Sequence, residues 1–499
     1  MSNNIPIFLS LFPFLVFLWL LFIKKTKLVW ASSITLFVYT ILAFFYWEIF
    51  PSFLYISYGK GFLIALDIFF IIFGAIFFLE ILKDLKIIKN ISYYLENFSN
   101  DYRIQVIVIA WLFENLLEGT AGFGTAGAIA VPLLIGLGLS PIKSLVVGLL
   151  GNSTAVVFGA AGTPIRVGFA GLMTSSVPLI ASLLNIVGII VPVFMLSIIT
   201  KGRPNSKREF FEALPFAIWT GIAFVVPSIL FVSFGQEFPS ILGSVVGLIL
   251  VIVTTKLGIF VPKNHFMLKD EKEITHTMNP IKAFLPYGLL ILFLVLGKIV
   301  IGKIGIPLHF GFDYTFSLFN PGFIFIITGI VVSIFWKSSK KIFALASKVS
   351  LRGAIGPFIV IIGMSAIVQI MILSGNNFSG LPAAITLIAK GFETSLLPFF
   401  APFIGAFGSF MTGSATISNI MFGNFFNTAS LDLGFNSQII LSLGVVGAAA
   451  GNMIALSDIL SAEAVTEVKN SEIHILKGVI LPCLTYLIIL GIIGVIILK

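Results

Sequence analysis

Long apolar runs bounded by lysines and arginines dominate the chain, and they predict membrane helices at residues 5–23, 28–50, 61–82, 177–199, 212–234, 238–261, 282–300, 321–336, 353–373 and 476–498. Each run approaches the length of about 20 residues that a helix needs to cross a bilayer's hydrocarbon core. Two regions depart from this pattern. Between Arg103 and Lys143 two apolar arms flank a glycine-rich centre, Gly119 to Gly127. At about 1.5 Å per residue each arm reaches roughly 20 Å, past the midplane of the core and not across it, so a re-entrant hairpin over 104–139 fits better than two crossings. Residues 395–430 repeat the construction, with the break near Thr412 to Ser418. Each hairpin is followed by an apolar segment interrupted by small and polar residues, 144–172 with GNSTAVVFGAAGTP and 438–467 with GNMIALSDILSAEA. Both read as broken spans. The pattern predicts an all-α polytopic membrane protein of about twelve spans plus two re-entrant hairpins.

The order of these elements repeats. Three spans, a hairpin, a broken span and a span fill residues 1–199. Two linking spans and a charged loop fill 200–281, and the same series returns over 282–499. The first copy enters its hairpin from the cytoplasmic side and the second from outside, so the halves form an inverted-topology repeat, an arrangement that places a substrate site at the midplane between discontinuous helices. Gly119-Thr-Ala-Gly against Thr412-Gly-Ser-Ala, and Gly151-Asn152 with Ala155 against Gly451-Asn452 with Ala455, are short echoes at matching places.

Charge sets the orientation. With Lys24 cytoplasmic, the basic groups of 24–27, 83–103, 143, 201–208, 263–282, 337–352 and 469–477 gather 23 of the 30 Lys and Arg on one side. Lys60, Lys298, Lys303, Lys390 and Lys499 fall on the other, as the positive-inside rule expects. The reading predicts a multi-pass protein of the cytoplasmic membrane with both termini outside, its first apolar run an uncleaved span. The net charge of +9 is thereby explained by orientation, with no nucleic-acid partner. Only 10% of the 499 residues are charged and 58% are hydrophobic, against roughly 25% charged in a soluble domain, which excludes a soluble fold. The single cysteine, Cys483, excludes an intramolecular disulfide.

The breaks carry the candidate chemistry. Irregular backbone at membrane depth is tolerated only where protein buries it or where it lines a wet cavity. Four breaks at one level therefore imply a cavity. Half-helix N-termini favour an anion, and small residues let it approach the backbone, so a small carboxylate is the expected guest. The predicted substrate-binding residues are Thr120, Gly122, Gly124 and Thr125 in the first hairpin and Asn152, Ser153, Thr154 and Arg166 in the first broken span. Thr412, Ser414, Thr416, Ser418 and Asn419 in the second hairpin and Asn452 in the second broken span complete the set. Packing of small residues between helices is the plainer reading of any one glycine.

Ionisable groups inside spans are costly and hence informative: Asp67, Glu80, Glu114, Glu118, Arg166, Asp458 and Glu463. Glu114 and Glu118 share one helix face, and two carboxylates that close are expected to share a proton. They are the predicted proton-coupling residues together with Asp458, against the alternatives of an interhelical hydrogen bond and a helix cap. Arg166 has the geometry to grip a carboxylate in two places, or to pair with a structural acid. Asp67 and Glu80 lie off the breaks and are read as serving packing or the interface.

Other signals fall away. Gly122-Phe-Gly124-Thr-Ala-Gly127 matches a dinucleotide fingerprint, yet no strand precedes it and no acid follows at the required distance. There is no Walker A sequence, so ATP is not the evident driver. The histidines, His265, His276, His309 and His474, stand singly without metal-ligand spacing, and no cofactor or metal is expected. A lipid-active enzyme would need its polar clusters in loops near the headgroups, and a channel would need a symmetric filter. Nothing in the pattern sets an oligomeric state.

The run FENLLEGTAGFGTAGAIAVPLL from Phe113, then GNSTAVVFGAAGTP, FLPYGLLILFLVL near Leu285, GSFMTGSATISNIMFG and GNMIALSD resemble the L-lactate permease family in order along nearly the whole chain. The resemblance implies a secondary transporter of lactate and related 2-hydroxymonocarboxylates such as glycolate, usually in symport with protons. The family's tip motifs fall on Glu118 to Thr125 and Thr412 to Asn419. Members often carry an acidic residue where Ala415 stands, and a lysine-containing, proline-bearing segment in place of Asn452 to Asp458. These departures leave a sodium-coupled carrier, or a carrier of other organic anions with the same hairpins, as the alternative.

Overall fold

A computed structural model describes residues 4–24, 26–122, 125–268, 278–302, 304–391, 394–455, 458–459 and 471–498. Its helices run α1 Asn4–Leu18, α2 Leu28–Phe45, α3 Pro51–Asp84, α4 Ile87–Glu96, α5 Tyr102–Ile107, α6 Glu114–Thr120, α7 Thr125–Gly136, α8 Pro141–Gly151, α9 Gly159–Arg166, α10 Val177–Leu184, α11 Val191–Thr200, α12 Ser206–Phe231 and α13 Pro239–Lys256. They continue with α14 Pro280–Ile301, α15 Pro321–Phe335, α16 Lys340–Leu373, α17 Ala384–Gly391, α18 Leu397–Thr412, α19 Ala415–Asp432, α20 Ser437–Gly451 and α21 Glu472–Ile497. Starts and stops follow local chemistry. Pro51, Pro141, Pro239, Pro280 and Pro321 open their helices, where the missing N–H costs nothing. Asn279, Asn320, Ser339, Ser414 and Asn436 cap theirs by accepting a backbone N–H.

Among the described residues nine helices are long and apolar enough to cross a membrane, or ten if the bent pair Pro141–Gly151 and Thr154–Arg166, kinked by 41°, is one span. Two expected spans are short apolar helices, Ile5–Leu21 and Pro321–Phe335. The protein is a multi-pass, predominantly helical membrane protein. Two helices are longer than the hydrophobic runs indicate: α3 and α16 each hold 34 residues, about 51 Å of helix. The sequence pattern stops at Lys60 and at the lysines of 340–348, but a helix continues through polar residues wherever its end leaves the hydrocarbon. One small sheet also departs from the all-α expectation. Gly305–His309 pairs antiparallel with Asp313–Ser317, two short stretches between α14 and α15 that read as loop because each is too brief to show a period.

Two groups of helices pack within themselves. α3 lies along α16 and α15, α2 lies on α16, and α14 lies on α15 and α4. In the other group α18, α19, α20 and α21 pack together, α12 packs on α13, and α6 on α7, α9 and α13. The groups meet where α3 touches α9 and where α16 touches α19. Glycine and small residues set the closest approaches: a side chain on Gly405 would meet the Gly444 carbonyl at 2.1 Å, and one on Gly447 the Pro402 carbonyl at 2.1 Å.

Candidate functional site

The first hairpin enters along α5, a π-helical stretch Val108–Phe113 and α6, turns after Ala121 and returns along α7. The π stretch ends at Glu114, and wide turns of this kind recur at functional sites. Its acidic side chains point at the neighbouring broken span. A side chain on Gly151 would lie 2.5 Å from Glu114 Oε2, and one on Gly159 would lie 2.5 Å from Glu118 Oε1. Both carboxyls therefore occupy space that only glycine leaves open.

The broken span begins as α8, stops at Gly151, crosses Asn152 and Ser153 into a 3-10 turn Thr154–Phe158, and resumes as α9. Within α9 Ala160 (φ 42°), Ala161 (φ 53°) and Gly162 (φ 80°) are all left-handed. For alanine that conformation costs on the order of 1–2 kcal/mol per residue, a strain that marks functional backbone. The second hairpin turns at Gly413 (φ 68°), and Ser414 Oγ accepts from the Ile417 N–H at 3.3 Å to cap α19. Ser418 Oγ donates to the Gly405 carbonyl at 2.7 Å and ties the two arms. Asn419 Nδ2 donates to the Pro164 carbonyl at 2.9 Å, joining this hairpin to the first broken span. The second broken span ends α20 at Gly451 and turns through Asn452–Ile454. Asn152 Nδ2 donates to Asp458 Oδ2 at 3.1 Å, joining the two broken spans.

All four breaks line one cavity of about 20 Å³. The first hairpin supplies Glu118 and Gly122, the first broken span Val156, Gly159, Ala160, Thr163 and Pro164, the second hairpin Gly413 to Thr416, and the second broken span Asn452. Among the described residues Glu118 is the only ionisable side chain on this lining. The N-terminus of α19 opens onto it, so the first N–H groups of that helix and the Ser414 and Thr416 side chains form its anion-attracting wall. Several oxygens close by are buried without a hydrogen-bond partner: both of Glu114, Oε2 of Glu118, and Oδ1 of Asn152, Asn419 and Asn452. Buried polar atoms are rarely left so.

Of the residues predicted from sequence, Glu118, Gly122, Ser414, Thr416 and Asn452 thus line the cavity. Others turn elsewhere. Thr120 Oγ1 donates to the Leu116 carbonyl at 2.9 Å, Ser153 Oγ to Leu150 at 2.6 Å and Thr412 Oγ1 to Gly408 at 2.8 Å, each within its own helix or turn. Thr154 faces Gly188, and its carbonyl accepts from Asn185 Nδ2 at 3.1 Å. Arg166 is off the cavity: Nη2 lies 3.4 Å from Asp67 Oδ2, and Nη1 donates to the Phe319 carbonyl at 3.1 Å. Asn320 Nδ2 holds the other Asp67 oxygen at 2.6 Å. The arginine therefore ties the first broken span to α3. Gly124 and Glu463 lie outside the described residues, and of Thr125 only the backbone is described. Thr163 and Asn115 were not singled out by sequence. Asn115, with both amide atoms buried and unpartnered, carried no signal beyond its place between two glutamates.

The profile described as L-lactate permease matches residues 7–306 and 300–499. The chain belongs to the L-lactate permease family. It is accordingly a membrane transporter and not an enzyme. Among similar proteins of this family are a putative L-lactate permease of Haemophilus influenzae, 29% identical with 84% of each chain covered, and the glycolate permease GlcA of Escherichia coli, 26% identical over 97% of this chain and 94% of that one. The L-lactate permease of Bacillus subtilis is 25% identical with the same coverage as GlcA. Among solved structures, the YdaH transporter of Alcanivorax borkumensis aligns with 85% of this chain and 84% of its own at a TM-score of 0.44 and 12% identity.

Proposed function

We propose that this permease carries L-lactate and related 2-hydroxymonocarboxylates, among them glycolate and D-lactate, across the cytoplasmic membrane in symport with protons by alternating access. The observation that carries the reading is the single cavity on which all four breaks converge, with an α19 N-terminus on one wall and Glu118 on another. The substrate carboxylate sits at the α19 N-terminus, where Ser414 and Thr416 present hydroxyls, and the Asn452 amide receives the 2-hydroxyl. Among the described residues no lysine, arginine or histidine lines the cavity. An anion placed beside an ionised Glu118 meets like charge at low dielectric, so substrate and proton travel together, the proton on Glu118 with Glu114 and Asp458 as its relay partners.

A space of about 20 Å³ accommodates a water molecule and not a three-carbon acid. The hairpin tips therefore part on one side to admit substrate and on the other to release it. Both termini lie outside, and the basic loops face the cytoplasm.

Labelled L-lactate uptake into proteoliposomes tests this. An inward proton gradient is expected to drive accumulation, and unlabelled glycolate to compete. Accumulation driven by sodium alone, at equal pH on both sides, would overturn the proton assignment; absence of uptake with any monocarboxylate would overturn the substrate assignment.

A further inference from the structure

The first broken span leans on the start of α13 and on the loop before it. Ser240 Oγ donates to the Ala155 carbonyl at 2.7 Å, and a side chain on Gly162 would meet the Gln236 carbonyl at 2.5 Å. Residues 236–240 therefore brace the left-handed run whose Ala160 walls the cavity. Next to Gln236, the buried Glu237 pairs with Lys298 of α14, which belongs to the other helix group. Gly235 (φ 131°) leaves the space for this pair, since a side chain there would strike both Lys298 Nζ and Glu237 Oε2. Two residues beyond Pro164 on the cavity wall, Arg166 Nη2 lies 3.4 Å from Asp67 Oδ2 on α3, again across the groups. Phe319 stands at both contacts: its carbonyl accepts from Arg166 Nη1 at 3.1 Å, and its ring centre lies 5.9 Å from Lys298 Nζ.

Among the described residues these are the two ion pairs that cross between the helix groups. Both lie at the end of the molecule that carries the small sheet, for Lys298 is in the last turn of α14 just before Gly305–His309 and Phe319 follows Asp313–Ser317. Their burial differs from that of the ion pair at the base of the first hairpin. The Arg166 and Asp67 side chains are 17% and 20% exposed and Lys298 is 34% exposed, whereas Arg103 and Asp101 are fully buried. Opening a fully buried pair strands charge without water, but part-exposed partners regain water as they separate, so little is lost. Asp67 is also held within its own group, where Asn320 Nδ2 donates to its Oδ1 at 2.6 Å and to its carbonyl at 3.0 Å. Its carboxylate keeps its place when Arg166 leaves.

We propose that Asp67–Arg166 and Glu237–Lys298 form a two-bolt gate between the helix groups: joined, they hold the cavity wall of residues 159–164 against α3 and α14 and close the way in from the sheet-bearing face; parted, they open it. These four side chains position the wall and do not touch the substrate. Two weak, wettable pairs suit contacts that are made and broken in every cycle, whereas the buried Arg103–Asp101 pair suits one that stays closed. The gate is a two-state element with a small energy gap, so loss of its pairs shifts the balance between its states. It presupposes the alternating access proposed for this cavity, and depends neither on which acid is carried nor on the proton route through Glu118.

The test places a reporter, Ala415→Cys, on the cavity wall of the full-length protein, with the buried Cys483 replaced by alanine. A membrane-impermeant methanethiosulfonate is applied to intact cells and to inverted vesicles, and a separate Phe310→Cys variant, exposed at the turn of the small sheet, shows which preparation presents the sheet-bearing face. Asp67→Asn combined with Glu237→Gln is expected to speed labelling of the reporter from that face about fivefold or more, and not from the other. An unchanged rate overturns the gate, and so does an equal rise from both faces, which is loosening of the wall. If that variant does not fold, Glu237→Cys with Lys298→Cys, bridged by a short bifunctional methanethiosulfonate, decides the matter. Bridging is expected to lower lactate uptake about tenfold or more, with recovery on adding reductant. Uptake undiminished by the bridge overturns the gate. Absence of lactate uptake by the wild type refutes the transport reading separately, and the face-specific labelling contrast then stands or falls by itself.

Discussion

The first hairpin is anchored at its base by buried charge. Arg103 donates to Asp101 from Nε at 2.9 Å and Nη2 at 2.6 Å, and to the Glu209 carbonyl from Nη1 at 2.7 Å. Tyr102 holds Glu209 Oε2 at 2.8 Å, Arg203 pairs with the same carboxylate at 2.7 Å, and the Arg103 guanidinium stacks 4.9 Å from the Phe266 ring. The second hairpin has no ionisable side chain from Leu397 to Leu431. Its outer face borders an apolar cavity of about 430 Å³ between α1, α17 and its own arms, lined by residues such as Phe14, Ile388, Phe403 and Phe422. One hairpin is clamped and carries the acids; the other is neutral, carries hydroxyls and an amide, and has space behind it. Ion chemistry requires fixed geometry because small displacements of charge in a low dielectric are expensive. Hydroxyls and helix N–H groups tolerate movement, which suits the arm proposed to yield to substrate.

The largest effect is expected from breaking the clamp. Arg103→Leu leaves Asp101 uncompensated in a buried site and is expected to destabilise the protein by about 3–5 kcal/mol, measured as lost melting temperature or failure to purify. Phe400→Leu on the exposed face of the second hairpin is expected to stay within about 0.5 kcal/mol of wild type. Equal losses in the two variants would remove the difference in anchoring.

The division of chemistry is sharpened by Glu118→Gln and Thr416→Val. In Glu118→Gln, uptake driven by a pH gradient is expected to fall at least tenfold, about 1.4 kcal/mol or more, while exchange of labelled for unlabelled lactate at equal pH persists. In Thr416→Val the half-saturating lactate concentration rises and the response to the gradient is unchanged. If both variants lose gradient response and affinity together, the hairpins do not separate these roles.

How much of this was readable in the chain depends on whether the cause is local. A break inside an apolar run is visible because lipid tolerates unpaired backbone nowhere else, so Gly122, Ser414, Thr416 and Asn452 were reachable from spacing alone, as was Glu118 beside a tip. Rotation about a helix axis is set by the neighbour, and the neighbour is distant in sequence. Arg166 finds Asp67 on α3, ninety-nine positions earlier, and Thr120 and Ser153 turn back on their own helices, none of which periodicity encodes. The left-handed run Ala160–Gly162 was hidden for the same reason: alanine is a helix former, and the neighbours packed against this segment, Glu118, Gly122 and Gln236, are distant in sequence. The extension of α3 and α16 past their apolar cores was missed because hydropathy ends where lipid ends and backbone hydrogen bonding does not.

Ser414→Ala tests the neutral wall. The serine caps α19 through Ile417 N–H, and loss of such a cap costs about 1 kcal/mol, which as binding free energy is roughly a fivefold rise in the half-saturating substrate concentration. Ser418→Ala, whose hydroxyl serves the Gly405 carbonyl inside the hairpin, is expected to lower stability and leave that concentration unchanged.

The smallest effect is expected behind the second hairpin. Ile388→Phe places added volume in the 430 Å³ apolar cavity, where it meets space and not packed atoms, so the overpacking cost usual in cores does not arise. Melting temperature is expected to hold or rise slightly. Lactate exchange is expected to slow roughly twofold, about 0.4 kcal/mol in barrier, with the half-saturating concentration unchanged, because the substituted side chain stands in the way of the arm's movement and not of the ligand. The corresponding change beside the first hairpin, Val131→Phe against Gly148, enters a contact in which even an added methyl on the glycine would lie 2.5 Å from the valine, and there stability and not rate should suffer. If Ile388→Phe leaves exchange at the wild-type rate, the cavity is not the space into which the second hairpin moves, and the asymmetry between the hairpins is one of chemistry alone.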